Sequence, residues 1–265
     1  MRAFKRWFRR WKSFRAAQPQ LAVCRPEVER VFGGPVTWRQ TGGCGRDVVC
    51  LVARENRPVG VLRLTSPSGK APAPAGQSGL PFVALPAAAK IGREWQAYAA
   101  GFPHGLTPQP LWRNDGALLC AYVDGTPLKR DAEAGRAAYL TLATEALPHI
   151  ARLHRAGLTH MDMSLSNILR DAARRHLFVD FEYGPAEGLT ADQQRLYDYL
   201  RLLESIWKYL APEVRATVAG TWGEAFRACA PASVRTADLT PLRPALGRIL
   251  AAPELQDFFA TLAAV

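Results

Sequence analysis

The stretch His160-Met161-Asp162-Met163-Ser164-Leu165-Ser166-Asn167-Ile168-Leu169, with Leu177-Phe178-Val179-Asp180-Phe181-Glu182 close behind it, decides how the chain is read. Asn167 follows Asp162 by five residues, and Asp180 follows Asn167 by thirteen. Two short strand-like apolar runs, Ile168-Leu169 and Leu177-Phe178-Val179, separate the polar groups, so Asn167 and Asp180 fall on opposite sides of a small hairpin. Upstream, Ile150-Ala151-Arg152-Leu153-His154-Arg155-Ala156-Gly157 reads as the end of an amphipathic helix stopped by glycine. Either run alone matches a surface turn with incidental acids; the two in this order and spacing do not.

Together the runs resemble the H-x-D-x-x-x-x-N catalytic loop and the D-F-x metal-binding loop of the protein-kinase-like superfamily. That resemblance implies transfer of a phosphoryl group from ATP with Mg2+. Such chemistry needs a carboxylate beside the acceptor hydroxyl and hard oxygen ligands that hold magnesium on the phosphates. Asp162 takes the first role, and Asn167 and Asp180 supply the metal ligands. His160 is expected to be a structural brace rather than a proton shuttle, and His154 to pack its helix with no further role.

The upstream segments fall in the order the resemblance implies. Val36 to Trp38, Asp47 to Ala53 and Pro58 to Leu64 read as an antiparallel meander. Gly42-Gly43-Cys44-Gly45 between the first two strands resembles a shortened glycine-rich loop, with Gly42, Gly43 and Gly45 leaving the backbone bare for nucleotide phosphates. Val59-Gly60-Val61-Leu62-Arg63 is similar to the V-A-I-K strand, with Arg63 in the place of the phosphate-binding lysine. Glu94, in the helix Lys90 to Ala100, is the acid expected to orient Arg63; an ordinary solvated helix charge is the competing reading. Cys120-Ala121-Tyr122-Val123 has the character of an interlobe hinge, whose backbone at Cys120 and Tyr122 is expected to hold adenine. Ser66 to Ala89, rich in Pro, Ala, Gly and Ser, reads as a flexible insertion in which Leu80 to Leu85 forms a short ordered piece.

Within the superfamily the chain resembles the bacterial lipopolysaccharide core sugar kinases, the heptose and 3-deoxy-manno-octulosonic acid kinases. The segment after Asp180-Phe181-Glu182 reaches a helical pattern by Asp192 and contains no A-P-E motif, leaving little room for a peptide-docking platform. This favours a compact hydroxyl acceptor, such as a sugar of a glycolipid. The same shortening occurs in aminoglycoside and choline kinases, so a soluble small-molecule kinase is an alternative. Ser164 two residues after Asp162 gives the loop a RIO-type or Bud32-like character, which keeps a protein kinase or ATPase open. Arg63 in place of lysine keeps a binding-only pseudokinase scaffold open. Asp198, in the helix Gln193 to Leu210, resembles an acid that braces the catalytic loop; an exposed helix acid reads equally well.

The 265 residues are 48 % hydrophobic, enough for a sizeable core, which excludes intrinsic disorder as a description of the whole chain. A sheet-rich first part and a helix-rich second part imply an α+β, bilobal protein-kinase-like fold with a cleft between lobes. Its expected divisions are an amphipathic basic segment at 1–18, a nucleotide-binding lobe at 20–123 and a helical lobe at 124–265. Of the net charge of +11, seven units lie in Met1 to Arg15, which holds no acid. There Phe4, Trp7, Phe8, Trp11 and Phe14 recur every three or four residues, an interfacial-helix pattern suited to an anionic membrane surface. Docking of that face on the protein itself, and a basic arm for nucleic acid, are the other readings, with nucleic acid the less favoured partner. No run approaches the ~18 apolar residues of a membrane span and no signal peptide is evident, so the expected location is cytoplasmic, peripheral to the inner face of the cytoplasmic membrane. The five cysteines are scattered, without a C-x-x-C pair, and read as reduced, mostly buried thiols. The oligomeric state is not legible in the sequence.

Overall fold

The structure is a computed structural model that describes Trp11 and residues 13–42, 47–65 and 79–263. Most of the amphipathic segment, Gly43 to Gly45 of the glycine-rich loop, and residues 66–78 of the insertion lie outside the described residues. The chain divides into two compact units. One comprises Met1–Pro72, Leu85–Phe102 and Pro108–Asp124; the other comprises Ala73–Ala84, Pro103–Thr107 and Gly125–Val265.

Among the described residues, the first unit is built on a five-stranded antiparallel sheet flanked by helices. Its strands are β1 (Thr37–Gly42), β2 (Asp47–Arg54), β3 (Arg57–Thr65), β5 (Pro110–Asn114) and β6 (Ala117–Ala121), in the order β1-β2-β3-β6-β5. Strands β2 and β3 turn through Glu55 and Asn56, both at positive φ, the backbone that a tight hairpin with the natural strand twist requires. Val48, Cys50 and Val52 of β2 and Leu62 and Leu64 of β3 alternate inward. Helix α1 (Gln18–Phe32) covers that face with Leu21, Cys24 and Val28, which pack with Ala117 and Leu119 of β6. This helix was not expected from the sequence, although Leu21, Cys24 and Val28 carry its periodicity. Phe32 at its end lies over Gly60: a Cβ there would meet the phenyl ring at 2.8 Å and the Cys120 carbonyl at 3.1 Å. With period two, Arg63 points to the sheet face opposite Leu62 and Leu64. Helix α2 (Ala87–Gly101) belongs to this unit and starts three residues before the expected Lys90.

The second unit is mainly helical. The short strand β4 (Phe82–Ala84) is the ordered piece expected between Leu80 and Leu85. It pairs antiparallel with β10 (Tyr183–Pro185), which follows the metal-loop motif. A three-stranded sheet joins β7 (Gly125–Pro127), β8 (Ile168–Asp171) and β9 (His176–Phe178). Strands β8 and β9 are the two arms of the hairpin read from the sequence. The helices are α3 (Leu128–Glu133), α4 (Tyr139–Arg155), α5 (Ala191–Trp207), the short α6 (Pro212–Arg215), α7 (Val218–Cys229), the short α8 (Ala232–Arg235) and α9 (Gly247–Leu250), and α10 (Gln256–Ala263). Their core is aromatic: Tyr199, Trp222 and Phe226 are fully buried, with Trp222 and Phe226 stacked at 5.3 Å. Rings of this size bury enough apolar surface to dominate the unit's cohesion.

The α+β composition expected from the sequence is thus the one the structure shows, one unit built on the antiparallel sheet and the other mainly helical, with Ala73–Ala84 and Pro103–Thr107 assigned to the helical unit. Among the described residues no helix is long and apolar enough to cross a membrane. Cys24, Cys50 and Cys120 are buried thiols and Cys229 is half-buried, all four unbridged.

Candidate active site

The loop that carries Asp162 is shaped by helix α5. Thr190 caps that helix with a reciprocal box: its hydroxyl accepts from the Gln193 N–H at 3.2 Å, and the Gln193 side chain accepts from the Thr190 N–H at 2.9 Å. The cap sets the helical phase, and three residues separate Asp198 from Arg201, so both face the same side.

Asp198 is completely buried and has three partners. Its Oδ2 accepts from the His160 N–H at 2.8 Å, its Oδ1 accepts from the Met161 N–H at 2.8 Å, and His154 Nε2 lies 3.0 Å from Oδ2. Two adjacent N–H groups converge on one carboxylate because Met161 adopts φ 66°, a left-handed conformation that an unbranched but bulky side chain resists. Of the two sequence readings of Asp198, the structure shows the brace. His154, which the sequence reading left without a role, orients that brace.

His160 ties the two halves of the motif together. Its Nδ1 accepts from the Asp162 N–H at 3.3 Å, which assigns the proton to Nε2, and Nε2 donates to the Val179 carbonyl at 2.9 Å. The ring packs against Phe181 with centroids 4.5 Å apart. Both polar atoms are engaged in holding backbone, a structural role for His160.

Asn167 donates from Nδ2 to the Asp162 carbonyl at 3.0 Å, and its own carbonyl accepts from the Val179 N–H at 3.0 Å. The amide orientation leaves Oδ1 as the acceptor atom of its side chain. Asp180 follows Val179 and is held at φ 72°, in the left-handed region that an aspartate tolerates. Met161 thus places backbone strain next to Asp162.

The Asp162 carboxylate receives Arg201 Nη2 on Oδ1 at 2.9 Å. Burial raises its pKa above the usual carboxylate value; Arg201 and His160 oppose that rise, and Asp180 and Glu182 add to it. The mutual influence of Asp162, Asp180 and Glu182 marks a concentration of negative charge of the kind a divalent cation relieves. Among the described residues no three His, Cys, Asp or Glu side chains converge as a metal cage. Asn167 and Asp180 carry hard oxygen atoms of the kind magnesium takes beside waters and phosphate oxygens, and the Val179 N–H bond to the Asn167 carbonyl ties the two segments that bear them.

In the first unit, Arg63 Nη1 donates to Glu94 Oε2 at 2.8 Å, with the arginine 13 % and the glutamate 3 % exposed. Tyr98, one helical turn beyond Glu94, donates its hydroxyl to Oε1 at 2.7 Å. Burial, then the Glu94 charge, holds that phenol well above its ordinary pKa, so it remains a donor. Glu94 is therefore a buried ion-pair partner rather than a solvated helix charge. Tyr98 was missed in the sequence, where its position four residues after Glu94 was the available signal. Lys90, one turn before Glu94, forms an ion pair with Asp47, the first residue of β2 after the glycine-rich segment.

The remaining sequence-derived positions fall as follows. Gly42 closes β1 where the β1–β2 register shifts, and Gly43 and Gly45 lie outside the described residues. Cys120 sits inside β6, paired with Val61 of β3 and Pro110 of β5, and burial pushes its thiol up to about 12. Tyr122 follows β6, is 37 % exposed, and donates its N–H to the Val59 carbonyl at 3.1 Å.

No family model matches the chain, and no curated protein matches it. Among solved structures, it is similar to the Rio2 kinase of Chaetomium thermophilum in an ADP/Mg2+–phosphoaspartate complex, at 15% identity and a TM-score of 0.46, over 88% of this chain and 76% of that one. It is also similar to a choline/ethanolamine kinase family protein from Mesorhizobium loti, at 13% identity and a TM-score of 0.45, over 86% of this chain and 93% of that one. What this chain does is carried by its own side chains.

Proposed function

We propose that the chain is an ATP-dependent phosphotransferase of the kinase-like type, acting on a hydroxyl of a saccharide, with a lipopolysaccharide core sugar at the inner membrane face as its acceptor. The observation that carries this reading is the Asp162 loop: a buried Asp198 holds its backbone, and Arg201, His160 and Asn167 hold Asp162 itself. Four residues are spent on fixing one aspartate and the loop that carries it, the preorganisation that general-base chemistry requires.

In this reading Asp162 orients the acceptor hydroxyl and takes its proton at a carboxylate oxygen as the hydroxyl oxygen bonds to the γ-phosphorus. The bond from that phosphorus to the leaving ADP oxygen breaks. The raised pKa of Asp162 makes it a stronger proton acceptor than a solvated aspartate. Asn167 and Asp180 would hold Mg2+, which when bound supplies charge neutralisation on the phosphate oxygens. Arg63, fixed by Glu94 and Tyr98, offers a guanidinium to the nucleotide phosphates; its planar fork pairs with phosphate as well as with carboxylate. The basic aromatic segment Met1 to Arg15 supports action at an anionic membrane surface.

The test is transfer of labelled phosphate from ATP with Mg2+ to a lipid-A-core glycolipid, presented in anionic or in neutral vesicles. The expected result is label in the glycolipid, faster in anionic vesicles and lost in Asp162→Asn with ADP binding retained. Unchanged transfer in Asp162→Asn would remove that carboxylate from the mechanism. ADP binding without transfer to any saccharide would turn the reading to a scaffold.

A further inference from the structure

The second unit carries an aromatic and basic surface that the chemistry at Asp162 leaves unused. Tyr139, at the start of α4, and Tyr209, just past α5, stack with centroids 4.6 Å apart and planes 12° from parallel. The Lys208 ammonium stands 4.8 Å from the Tyr209 ring centroid, and the Lys129 ammonium 5.9 Å. Tyr209 is 41 % exposed, and Lys208 is exposed as well. Lys208 foremost, then Lys129, holds the Tyr209 phenol below its ordinary pKa, by hydrogen bonding and by charge. Glu133 lies 3.6 Å from Lys129 and offsets part of its charge, which leaves the Lys208 side the more positive.

The position of this surface is set by two backbone connections. The Lys129 N–H donates to the Leu165 carbonyl at 3.0 Å, inside the loop between Asp162 and Asn167. Tyr209 lies two residues beyond the end of α5, the helix from which Arg201 reaches Asp162. At 1.5 Å per residue, the eight steps from Arg201 to Tyr209 span roughly 12 Å along the helix direction. An acceptor long enough to span that path would place one group on Tyr209, remote from the reacting oxygen, with its hydroxyl at Asp162.

An exposed ring offers carbon surface to the apolar face of a sugar, and two ammoniums around its phenol offer charge-assisted hydrogen bonds to an anion. We infer that Tyr139, Tyr209, Lys129 and Lys208 form an acceptor-recognition subsite for an anionic saccharide, one bearing a phosphate or carboxylate. The inference rests on the phosphotransferase reading of the neighbouring loop, and names the acceptor's charge. Binding energy from this remote contact serves to orient the reacting hydroxyl.

The experiment is saturation-transfer NMR on the full chain with glucose 6-phosphate, glucuronate and glucose as probes, alongside ADP binding and phosphate transfer. Wild type is expected to bind both anionic sugars at least tenfold more tightly than glucose. The Lys129→Ala/Lys208→Ala double variant is expected to lose that preference with unfolding temperature and ADP binding unchanged, and Tyr209→Ala to weaken all three sugars. Equal binding of the three sugars, or a preference that survives in the double variant, would overturn the inference. So would tighter binding of an oligothymidylate through the same two lysines. An intact, lysine-dependent preference in protein that transfers no phosphate would support the subsite and overturn the phosphotransferase reading.

Discussion

Arg201 Nη2 stands 2.9 Å from Oδ1 of Asp162, although 39 residues separate them in the chain. Both side chains are about a quarter exposed, so the pair is neither a core ion pair nor a loose surface contact. Its electrostatic effect has a definite sign: the guanidinium favours the ionised carboxylate against the burial that raises its pKa.

Removing the guanidinium in Arg201→Ala therefore raises the Asp162 pKa further. Activity requires the carboxylate, so the acidic limb of the kcat profile is expected to move to higher pH, with kcat down about tenfold or more at neutral pH. Arg201→Lys should restore most of the limb's position and less of the rate, because an ammonium keeps the charge without the fork. A pH–rate profile of the three proteins checks this; an unmoved acidic limb in Arg201→Ala would remove Arg201 from the positioning of Asp162.

Asp198 offers a different outcome, since its charge is fully buried and serves two backbone donors. In Asp198→Ala the His160 and Met161 N–H groups and His154 lose their acceptor, and the left-handed turn at Met161 loses its restraint. The expected loss of stability is about 3 kcal/mol or more, together with loss of transfer. Asp198→Asn keeps one acceptor oxygen and turns an amide donor toward the second, so an intermediate loss is expected. Denaturant unfolding of both variants measures it.

The His176 and His149 rings lie 4.1 Å apart at a tilt of 37°, with His176 at the turn end of the hairpin whose other end carries Asn167 and Asp180. Neither ring nitrogen of His176 has a hydrogen-bond partner among the described residues, and burial lowers its pKa to about 4, with His149 and nearby Arg170 and Arg174 adding to the shift. Burial lowers the pKa of His149 in the same direction. The unfolded chain binds a proton near the ordinary histidine value and the folded chain does not, so the stability from the neutral ring is complete above about pH 6.5 and is lost as pH falls toward 4. The expected loss is on the order of 2 kcal/mol. His176→Phe should flatten this part of the pH–stability curve, as read by thermal unfolding between pH 4 and 7.

The hairpin of Asn167 and Asp180 was legible because its chemistry is local. Short intervals between fixed residue types, bounded by apolar runs, specify strand ends without knowledge of the rest of the chain. The β2 and β3 strands were legible for the same reason, through their period of two. Helix α1 was passed over because Pro26 and a polar majority obscure the spacing of Leu21, Cys24 and Val28. Strand β10 was not legible at all: three residues, Tyr183 to Pro185, pair with a strand about a hundred positions earlier, and nothing local records such a partner.

The sequence by itself determined which acids and amides are present at intervals fit for phosphate chemistry, where the charge is concentrated, and that a sheet-rich part precedes a helical one. Tertiary structure alone decided that Asp198 is a buried brace and not a solvated acid, that His154 orients it, that Arg201 holds Asp162, and that Tyr98 completes the Arg63–Glu94 pair. It also decided that Lys129, Tyr139, Lys208 and Tyr209 share one surface. The physical reason is range. Periodicity reports which face of an element a residue occupies, but a partner on another element is chosen by how helices pack and where chains return, and that information is spread over contacts far apart in the chain.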